Sequence, residues 1–420
     1  MSQSPSLPDP ERSLDNDAAI IFDPMSRAFT EDPQSFYAAM RERAPVYYWP
    51  EGRAWVLTRY DDIDAMLRDA RFSTDHRRWR HNTQPIYAHE PELANIIEKN
   101  LFLAPAQDHQ RIRKLVAPSF SSRAIARLER QIRAIVDDLL AQASADSRDV
   151  IDIATAVAEP MPIRVISSML GIPPEHDECF RRWGTSILQV GFPLQPPERI
   201  AATVAEAARG LPVLREIIAE RRRNLGDDML SQLIQTQEAG ERLSEDELIS
   251  LVMVMIAAGS ETTVHLITFA VYNLLRHADQ RGLVQEDPSL LDNAIEEVLR
   301  YDSFAKGGVT RFALQDVSIR GQRIASGDMI FGYLGAALHD PDVWPDAGRF
   351  DVTRDPVANL SFGRGAHYCL GAHLARLEGR VALATLFERF PDMQLAGPPG
   401  YDFYHPILRR MSSLPVRPRG

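Results

Sequence analysis

Cysteine is almost absent from this chain: only Cys179 and Cys369 occur among 420 residues. Two cysteines exclude a disulfide framework, and they are too few to hold an iron–sulfur cluster through cysteine ligands. Low cysteine content is typical of a reducing compartment. We therefore expect a cytoplasmic protein in which a thiolate can stay reduced.

Positive charge is also scarce. The chain has 47 Lys and Arg against 58 Asp and Glu, which gives a formal net charge of -11. Proteins that bind nucleic acid neutralise phosphates with a basic surface. The charge balance therefore argues against general nucleic-acid binding.

The third missing feature is a segment that could direct the chain to or through a membrane. Residues 1–17 are rich in Ser, Pro and Asp, without the basic start and apolar run of a secretory signal. Leu248–Ala258 is apolar but short, and Gly259–Thr263 interrupts it with a carboxylate and hydroxyls. We predict a disordered leader over 1–17, a buried core helix and no membrane span. No repeat or linker divides the remainder, so 18–420 is expected to form a single domain.

Helical patterns dominate what is present, and the fold class predicted is mainly α with small β-sheets. Ser244 and Glu247 form a capping-box pattern at the start of the longest predicted helix, which runs to about Arg276. The other predicted helices are Asp32–Arg43, Tyr60–Ala70, a series from about Gln110 to Leu233 with a break at Gly191–Pro197, and Ala372–Phe390. The predicted strands are a pair within Val46–Leu57, then Val317–Ile319, Gln322–Ile324 and Met329–Phe331, and Phe72–Leu103 is expected to be a long irregular excursion.

One cysteine lies in a distinctive loop. A thiolate that binds a metal needs a backbone able to wrap closely around it, and glycine permits such turns. An isolated cysteine is more often a small buried core residue. Here six fixed positions surround it at regular spacing: Phe362, Gly363, Gly365, His367, Cys369 and Gly371. This loop resembles the cysteine loop of the cytochrome P450 family. The resemblance implies a triangular helical prism with small β-sheets that encloses haem b, with Cys369 as the iron ligand.

The longest helix carries a second pattern. Gly259 inside a helix costs about 1 kcal/mol relative to Ala and needs a local reason, such as close approach of a flat ligand. An internal cap or kink is the alternative. Ala258–Thr263 resembles the oxygen-activation stretch of the same family. The resemblance implies that Glu261 and Thr262 deliver protons during catalysis, and side chains of these types can loosen or regroup the helical hydrogen bonds around Gly259 and hold a water.

A pair of opposite charges marks a later helix. Glu297 and Arg300 are three residues apart, which places them on one helix face. A solvated surface pair is the alternative. Apolar neighbours and the resemblance to the family's Glu-x-x-Arg pair imply a buried structural lock, with Arg349 as its third member. The segments Ala337–Pro341 and Ala347–Phe350 depart from the family pattern.

Haem carries two propionates, which call for cationic or hydrogen-bonding groups. The resemblance assigns this role to His109, Arg113, Arg311 and His367, and it places Gly259, Phe362, Gly363 and Gly371 around the cofactor. His109 and Arg113 are four residues apart and so share one helix face. Cations near the thiolate side, at Arg111, Arg113, Lys114 and Arg364, are predicted to meet an acidic electron donor.

The implied activity is that of a monooxygenase that uses O2, with electrons from NAD(P)H through a reductase and a ferredoxin. Tyr47–Tyr60 and Arg113–Ile125 resemble macrolide-tailoring members of the family, which implies a sizeable apolar polyketide or related natural product and a monomeric enzyme. The predicted pocket residues are Ala257, Ala258, Phe304, Lys306, Val309, Tyr404 and His405, with Lys306 facing a substrate oxygen or, alternatively, solvent. Oxidative coupling, peroxide-driven oxidation and a non-catalytic haem sensor or docking module are the alternatives.

Overall fold

The computed structural model describes residues 22–82, 85–146, 149–190, 197–238, 243–306, 308–356, 359–403, 405 and 407–418. The predicted leader over 1–17 and most of the predicted break at Gly191–Pro197 lie outside these residues.

Helices make up most of the described chain. They are α1 (Arg27–Glu31), α2 (Pro33–Arg43), α3 (Tyr60–Arg68), α4 (Pro91–Glu98), α5 (Ala106–Val116), α6 (Ser122–Ala126), α7 (Glu129–Asp146), α8 (Pro160–Leu170), α9 (Asp177–Val190), α10 (Pro197–Arg223), α11 (Met229–Glu238), α12 (Glu245–Arg276), α13 (Ala278–Glu286), α14 (Leu291–Tyr301), α15 (Leu334–Ala337) and α16 (Ala372–Arg389). Asp32 caps α2 by accepting the Ser35 amide, as its position before Pro33 predicted.

The strands are short. They are β1 (Val46–Trp49), β2 (Ala54–Leu57), β3 (Phe72–Ser73), β4 (Ile151–Asp152), β5 (Val309–Ala313), β6 (Val317–Ile319), β7 (Gln322–Ile324), β8 (Met329–Gly332), β9 (Gln394–Leu395), β10 (Gly400–Asp402), β11 (Arg410–Ser413) and β12 (Pro415–Arg417). The largest sheet has the order β1-β2-β8-β5-β3, in which only the β2–β8 pair is parallel. The other sheets are β4-β12-β9, β10-β11 and β6-β7.

Helix α12 is the centre of the largest core cluster, where it packs against α8, α9, α14 and α16. Its capping box is formed: the Ser244 amide donates to Glu247 Oε2 at 2.8 Å and the Glu247 amide donates to Ser244 Oγ at 3.2 Å. The helix is long and apolar enough to cross a membrane, but 83% of its most apolar window is buried inside the protein. The apolar side chains of α12 therefore pack into the protein core, as the sequence predicted for a buried core helix.

Two predictions about local structure were wrong. The segment Phe72–Leu103 is not wholly irregular, because it contains β3 and α4, and α4 buries Leu93, Ile96 and Ile97. The hydrogen bonds of α12 are not loosened at Gly259, since the α-helix is continuous from Glu245 to Arg276. Packing on several sides holds this helix regular despite its central glycine.

Candidate active site

The cysteine loop is a tight turn held by its own backbone. The Cys369 amide donates to the Phe362 carbonyl at 2.9 Å, which closes the loop. Gly363 and Gly365 have φ values of +69° and +70°, where a side chain would be strained. A Cβ on Gly365 would also lie 2.7 Å from the Leu67 carbonyl oxygen. The glycine pattern is therefore explained by backbone conformation and close approach.

The loop also leaves room for a flat ligand. A Cβ built on Gly363 or on Gly371 would have no neighbour within 4 Å. Burial raises the pKa of the Cys369 thiol, against the opposing effects of the Gly371 amide and the cations Arg113 and Arg376. A buried thiol of this kind ionises when a metal replaces its proton.

Four basic side chains meet beside this loop. The rings of His109 and His367 lie 4.0 Å apart between centroids, and Arg113 donates to the Tyr368 carbonyl at 2.5 Å. Arg311 is 7% exposed and donates to the Thr310 carbonyl at 2.8 Å. Within the described residues, no carboxylate forms an ion pair with any of these four groups.

Burial lowers the pKa of every member of this basic cluster (His109, Arg113, Arg311 and His367). Burial lowers the pKa of Arg311 to about 10. Burial, with the nearby His109, Arg311 and Arg113, lowers the pKa of His367 to about 3. Buried cations normally have a partner, so this cluster is suited to an anionic ligand such as the two haem propionates. The residues present therefore fit haem.

One face of α12 is open to internal space. Ala258, Gly259 and Thr262 are partly accessible within a helix whose neighbouring positions are buried. Their spacing of one and four residues places them on a common face. Thr262 Oγ1 donates to the Ala258 carbonyl at 2.7 Å, which leaves its oxygen able to accept a further hydrogen bond.

The Glu261 carboxylate lies in a different environment from the Thr262 hydroxyl. Thr185 Oγ1 donates to Glu261 Oε2 at 2.5 Å, and Arg410 Nη1 and His265 Nε2 lie 3.5 and 3.6 Å from Glu261 Oε1. Burial would raise the pKa of Glu261, but His265, Arg410 and Thr185 together lower it to about 2. The carboxylate is therefore ionised and is held toward α9 and β11.

The sequence reasoning missed these three partners of Glu261. His265 follows Glu261 by four residues, so helical spacing alone was a usable signal. Thr185 and Arg410 come from α9 and β11, and only tertiary packing brings them to the carboxylate.

The predicted structural lock is present with one change of membership. Arg300 donates to both oxygens of Glu297 at 2.7 Å, and both side chains are buried. The prediction that Arg349 is the third member was wrong, because its side chain is exposed and only its carbonyl accepts from Arg300, at 3.2 Å. Arg354 takes this place, with Nε 3.4 Å from Glu297 Oε1. The lock therefore consists of Glu297, Arg300 and Arg354.

Two predicted pocket residues have other contacts. Ala257 is buried against α9, since its Cα lies 3.3 Å from the position of a Cβ on Gly184. Lys306 does not extend to a substrate or to solvent: it is 2% exposed and donates to Thr30 Oγ1 at 2.8 Å and to the His405 carbonyl at 3.2 Å. Burial lowers the pKa of Lys306 to about 8.

The remaining predicted pocket residues divide by position. Ala258 lies on the open face of α12, and Phe304 contacts the His265 ring at 5.8 Å between centroids. Val309 is half-buried at the start of β5, and His405 is fully buried. Tyr404 lies outside the described residues.

Comparison with known proteins gives a consistent result. The family profile described as Cytochrome P450 matches residues 48–395. The epothilone C/D epoxidase of Sorangium cellulosum is 43% identical over 402 residues, which cover 95% of each chain. The cytochrome P450 monooxygenase PikC of Streptomyces venezuelae is 37% identical and covers 94% of this chain and 92% of its own. The structure of epothilone D-bound cytochrome P450epoK superposes with a TM-score of 0.90 at 42% identity, covering 96% of this chain and 100% of that one.

Proposed function

The chain belongs to the cytochrome P450 family of haem monooxygenases, and from that premise we propose that it oxidises a sizeable, mostly apolar polyketide or macrolide-like natural product. Hydroxylation and epoxidation are the two reactions we propose. The similarity to the epothilone C/D epoxidase and to PikC along nearly the whole chain is the observation that carries the proposal.

The residues of the site have separate roles in this proposal. Haem b, once bound with O2 and supplied with electrons from NAD(P)H, contributes the oxidising chemistry. Cys369 holds the iron, and the basic cluster holds the two propionates. Thr262, on the open face of α12, turns its hydroxyl from the Ala258 carbonyl toward the reacting oxygen, and Glu261 supplies it with protons. The intact Glu261–Thr262 pair favours use of O2 over a peroxide-driven reaction or a non-catalytic haem module.

Electrons are proposed to arrive from a ferredoxin at the side of the cysteine loop. Of the four cations predicted to meet it, Arg111 forms ion pairs with Asp108 and Glu247, and Arg364 forms one with Asp64. Lys114 is exposed. We therefore expect Lys114→Glu to slow reduction of the haem at low salt more than Arg364→Glu does. We also propose that the protein is a cytoplasmic monomer, which cell fractionation and light scattering test. Equal reduction rates would remove Lys114 from the docking surface.

A spectroscopic experiment tests the proposed function. The reduced, carbon monoxide-bound difference spectrum should show the Soret band of a thiolate-ligated haem in the wild type and not in Cys369→Ala. Epothilone D should then bind to the wild type more tightly than testosterone or hexadec-9-enoic acid does, with binding measured by the shift in haem spin state. A Soret band typical of histidine-ligated haem would refute the thiolate assignment, and preference for the steroid or the fatty acid would refute the substrate class.

A further inference from the structure

Unpartnered polar atoms are concentrated around Glu261. His265 and His405 are both 0% exposed. Within the described residues, both ring nitrogens of His265, Nε2 of His405, Oε1 of Glu261 and Nε of Arg410 have no hydrogen-bond partner. A polar group that is buried without a hydrogen-bond partner destabilises the folded protein. A cluster of them beside the proposed acid therefore indicates a role other than stability.

The two histidines differ in how they are held. Nδ1 of His405 accepts the Leu408 amide at 3.0 Å, so its proton is fixed on Nε2. Within the described residues, neither ring nitrogen of His265 makes a hydrogen bond that would fix its tautomer, and its Nε2 lies 3.6 Å from Glu261 Oε1. His265 is therefore the ring in this cluster that can gain and lose a proton without breaking a backbone hydrogen bond.

The position of His265 on α12 relates it to both members of the acid–alcohol pair. It follows Glu261 by four residues and Thr262 by three, so its side chain lies over both on the helix surface. Its ring also contacts Phe304, one of the predicted pocket residues. His265 thus lies between the buried carboxylate and the substrate side of the helix.

We propose that His265 is a third proton-handling residue of this monooxygenase, which stores the proton that Glu261 passes to Thr262. This inference rests on the proposed function. The proton moves from Nε2 of the His265 imidazolium to Glu261 Oε1, which leaves a neutral ring and a carboxylic acid. The acid then protonates the Thr262 oxygen as the hydroxyl, turned away from the Ala258 carbonyl, gives its own proton to the reacting oxygen, and His265 regains a proton from water. Only N–H and O–H bonds change, and no electron is transferred.

The electrostatics of Glu261 explain why a separate store is needed. Because His265, Arg410 and Thr185 hold the pKa of Glu261 well below its usual range, this carboxyl carries no proton at neutral pH and needs a neighbour that can supply one. Arginine does not release its proton, so Arg410 can hold the carboxylate but not load it. Transfer of the proton removes the charge of His265, the first of the groups that lower the pKa of Glu261, and a turn away from Arg410 removes the next, so the carboxylate becomes able to accept the proton.

Charged groups on neighbouring elements surround this relay. They are Arg410 on β11, Arg181 on α9, Glu159 before α8, and Asp402 and His405 near the C-terminus. Glu159 Oε1 lies 2.8 Å from Arg410 Nη2 and also lines a surface groove of about 820 Å³ between α7, α8 and α9. Glu159 therefore connects Arg410 to solvent, but Arg410 does not pass protons, so the water that recharges His265 enters from the side of the ring that contacts Phe304.

The test compares His265→Gln with His265→Phe, and uses His277→Gln as a control at the end of the same helix. The ratio of peroxide released to product formed is measured from pH 5.5 to 8.5 with electron donors and substrate present. The wild type and His277→Gln should show an inflection in this ratio within that pH range, because the relay needs a protonated donor. Both His265 variants should lose it and release about tenfold more peroxide per product at neutral pH. A wild-type profile in His265→Gln would overturn the inference.

A second readout does not depend on turnover. In the haem-loaded protein labelled with ¹⁵N-histidine, one ring that titrates should disappear in His265→Gln and should shift its midpoint in Glu261→Gln. Absence of any such response to Glu261→Gln overturns the inference, even if the His265 variants do not fold. Failure of the inference is distinct from failure of the proposed function, because the thiolate Soret band of the wild type is recorded in the same samples.

Discussion

Replacing Arg354 by Met tests which arginine completes the structural lock. The Arg354 guanidinium contacts Glu297 and also donates to the carbonyls of Pro345, Asp346 and Arg349, at 2.7 to 3.1 Å. It therefore connects α14 to the segment that precedes the cysteine loop. Arg349→Met is the matched control, because the same side chain is removed five residues earlier from an exposed position.

The expected magnitude follows from what each variant leaves unpaired. Breaking a buried ion pair costs about 3–5 kcal/mol when one charge is left alone. Glu297 keeps both bonds from Arg300 and one from the Asp351 amide, so it is not left alone when Arg354 is removed. We therefore expect Arg354→Met to lower the free energy of unfolding by about 2–3 kcal/mol. Arg349→Met should stay within about 0.5 kcal/mol of the wild type.

Urea unfolding of the haem-loaded protein, followed by circular dichroism and by Soret absorbance, provides the assay. The Arg354 variant should show a lower midpoint and a lower haem content after purification, with an unchanged urea dependence. Equal midpoints for the two variants, or a larger loss in Arg349→Met, would refute the assignment of Arg354 to the lock.

Three further predictions concern single side chains. Arg311→Leu should weaken haem binding by about 1.5–3 kcal/mol, measured by haem transfer to apomyoglobin. The same change should make the haem-free protein more resistant to urea, because it removes a buried cation. A lower urea midpoint of the haem-free variant would contradict this. Thr262→Ala should release about tenfold more peroxide per product. Ser260→Ala is the control and should not, although it removes an equivalent bond of 2.7 Å to the carbonyl four residues earlier. Equal effects of the two changes would mean that both hydroxyls serve only the structure of the helix. Chiefly by burial, the pKa of His339 is lowered from 6.5 to about 3, so the unfolded chain binds the proton more readily and stability is lost as the pH falls from about 6.5 toward 3. Measured by urea midpoints, His339→Gln should lose less stability than the wild type over that pH range. Parallel plots of midpoint against pH for the two proteins would contradict the assignment.

Local signals in the sequence predicted much of the fold. The capping box at Ser244, the paired strands β1 and β2 and the glycine turns of the cysteine loop depend on residues a few positions apart, so spacing alone indicates them. The helices α2 and α12 were predicted to within a residue at their ends. The predicted helix after Cys369 begins at Ala372 and ends one residue earlier than expected.

Contacts between distant segments were not predictable in the same way. Lys306 looked like a pocket or surface cation, but its ammonium group is bonded to Thr30, 276 positions away, and to the His405 carbonyl. Arg410 reaches Glu261 only because β11 packs beside α12. No periodicity within one segment carries information about such partners.

Glu261 and Thr262 show why adjacency in sequence is not enough to define the proton donor. Neighbouring residues on a helix point about 100° apart, so the hydroxyl faces the open side of α12 while the carboxylate is bonded to Thr185 and lies near Arg410. In the proposed mechanism the carboxylate must leave these partners before it can protonate Thr262. The ion pair with Arg410 helps to keep Glu261 ionised and away from Thr262, so proton delivery in this mechanism requires that the pair separate. Weakening it in Arg410→Met should raise the pKa of Glu261 and release the carboxylate, which makes β11 part of the catalytic control although no residue of that strand was predicted to belong to the site.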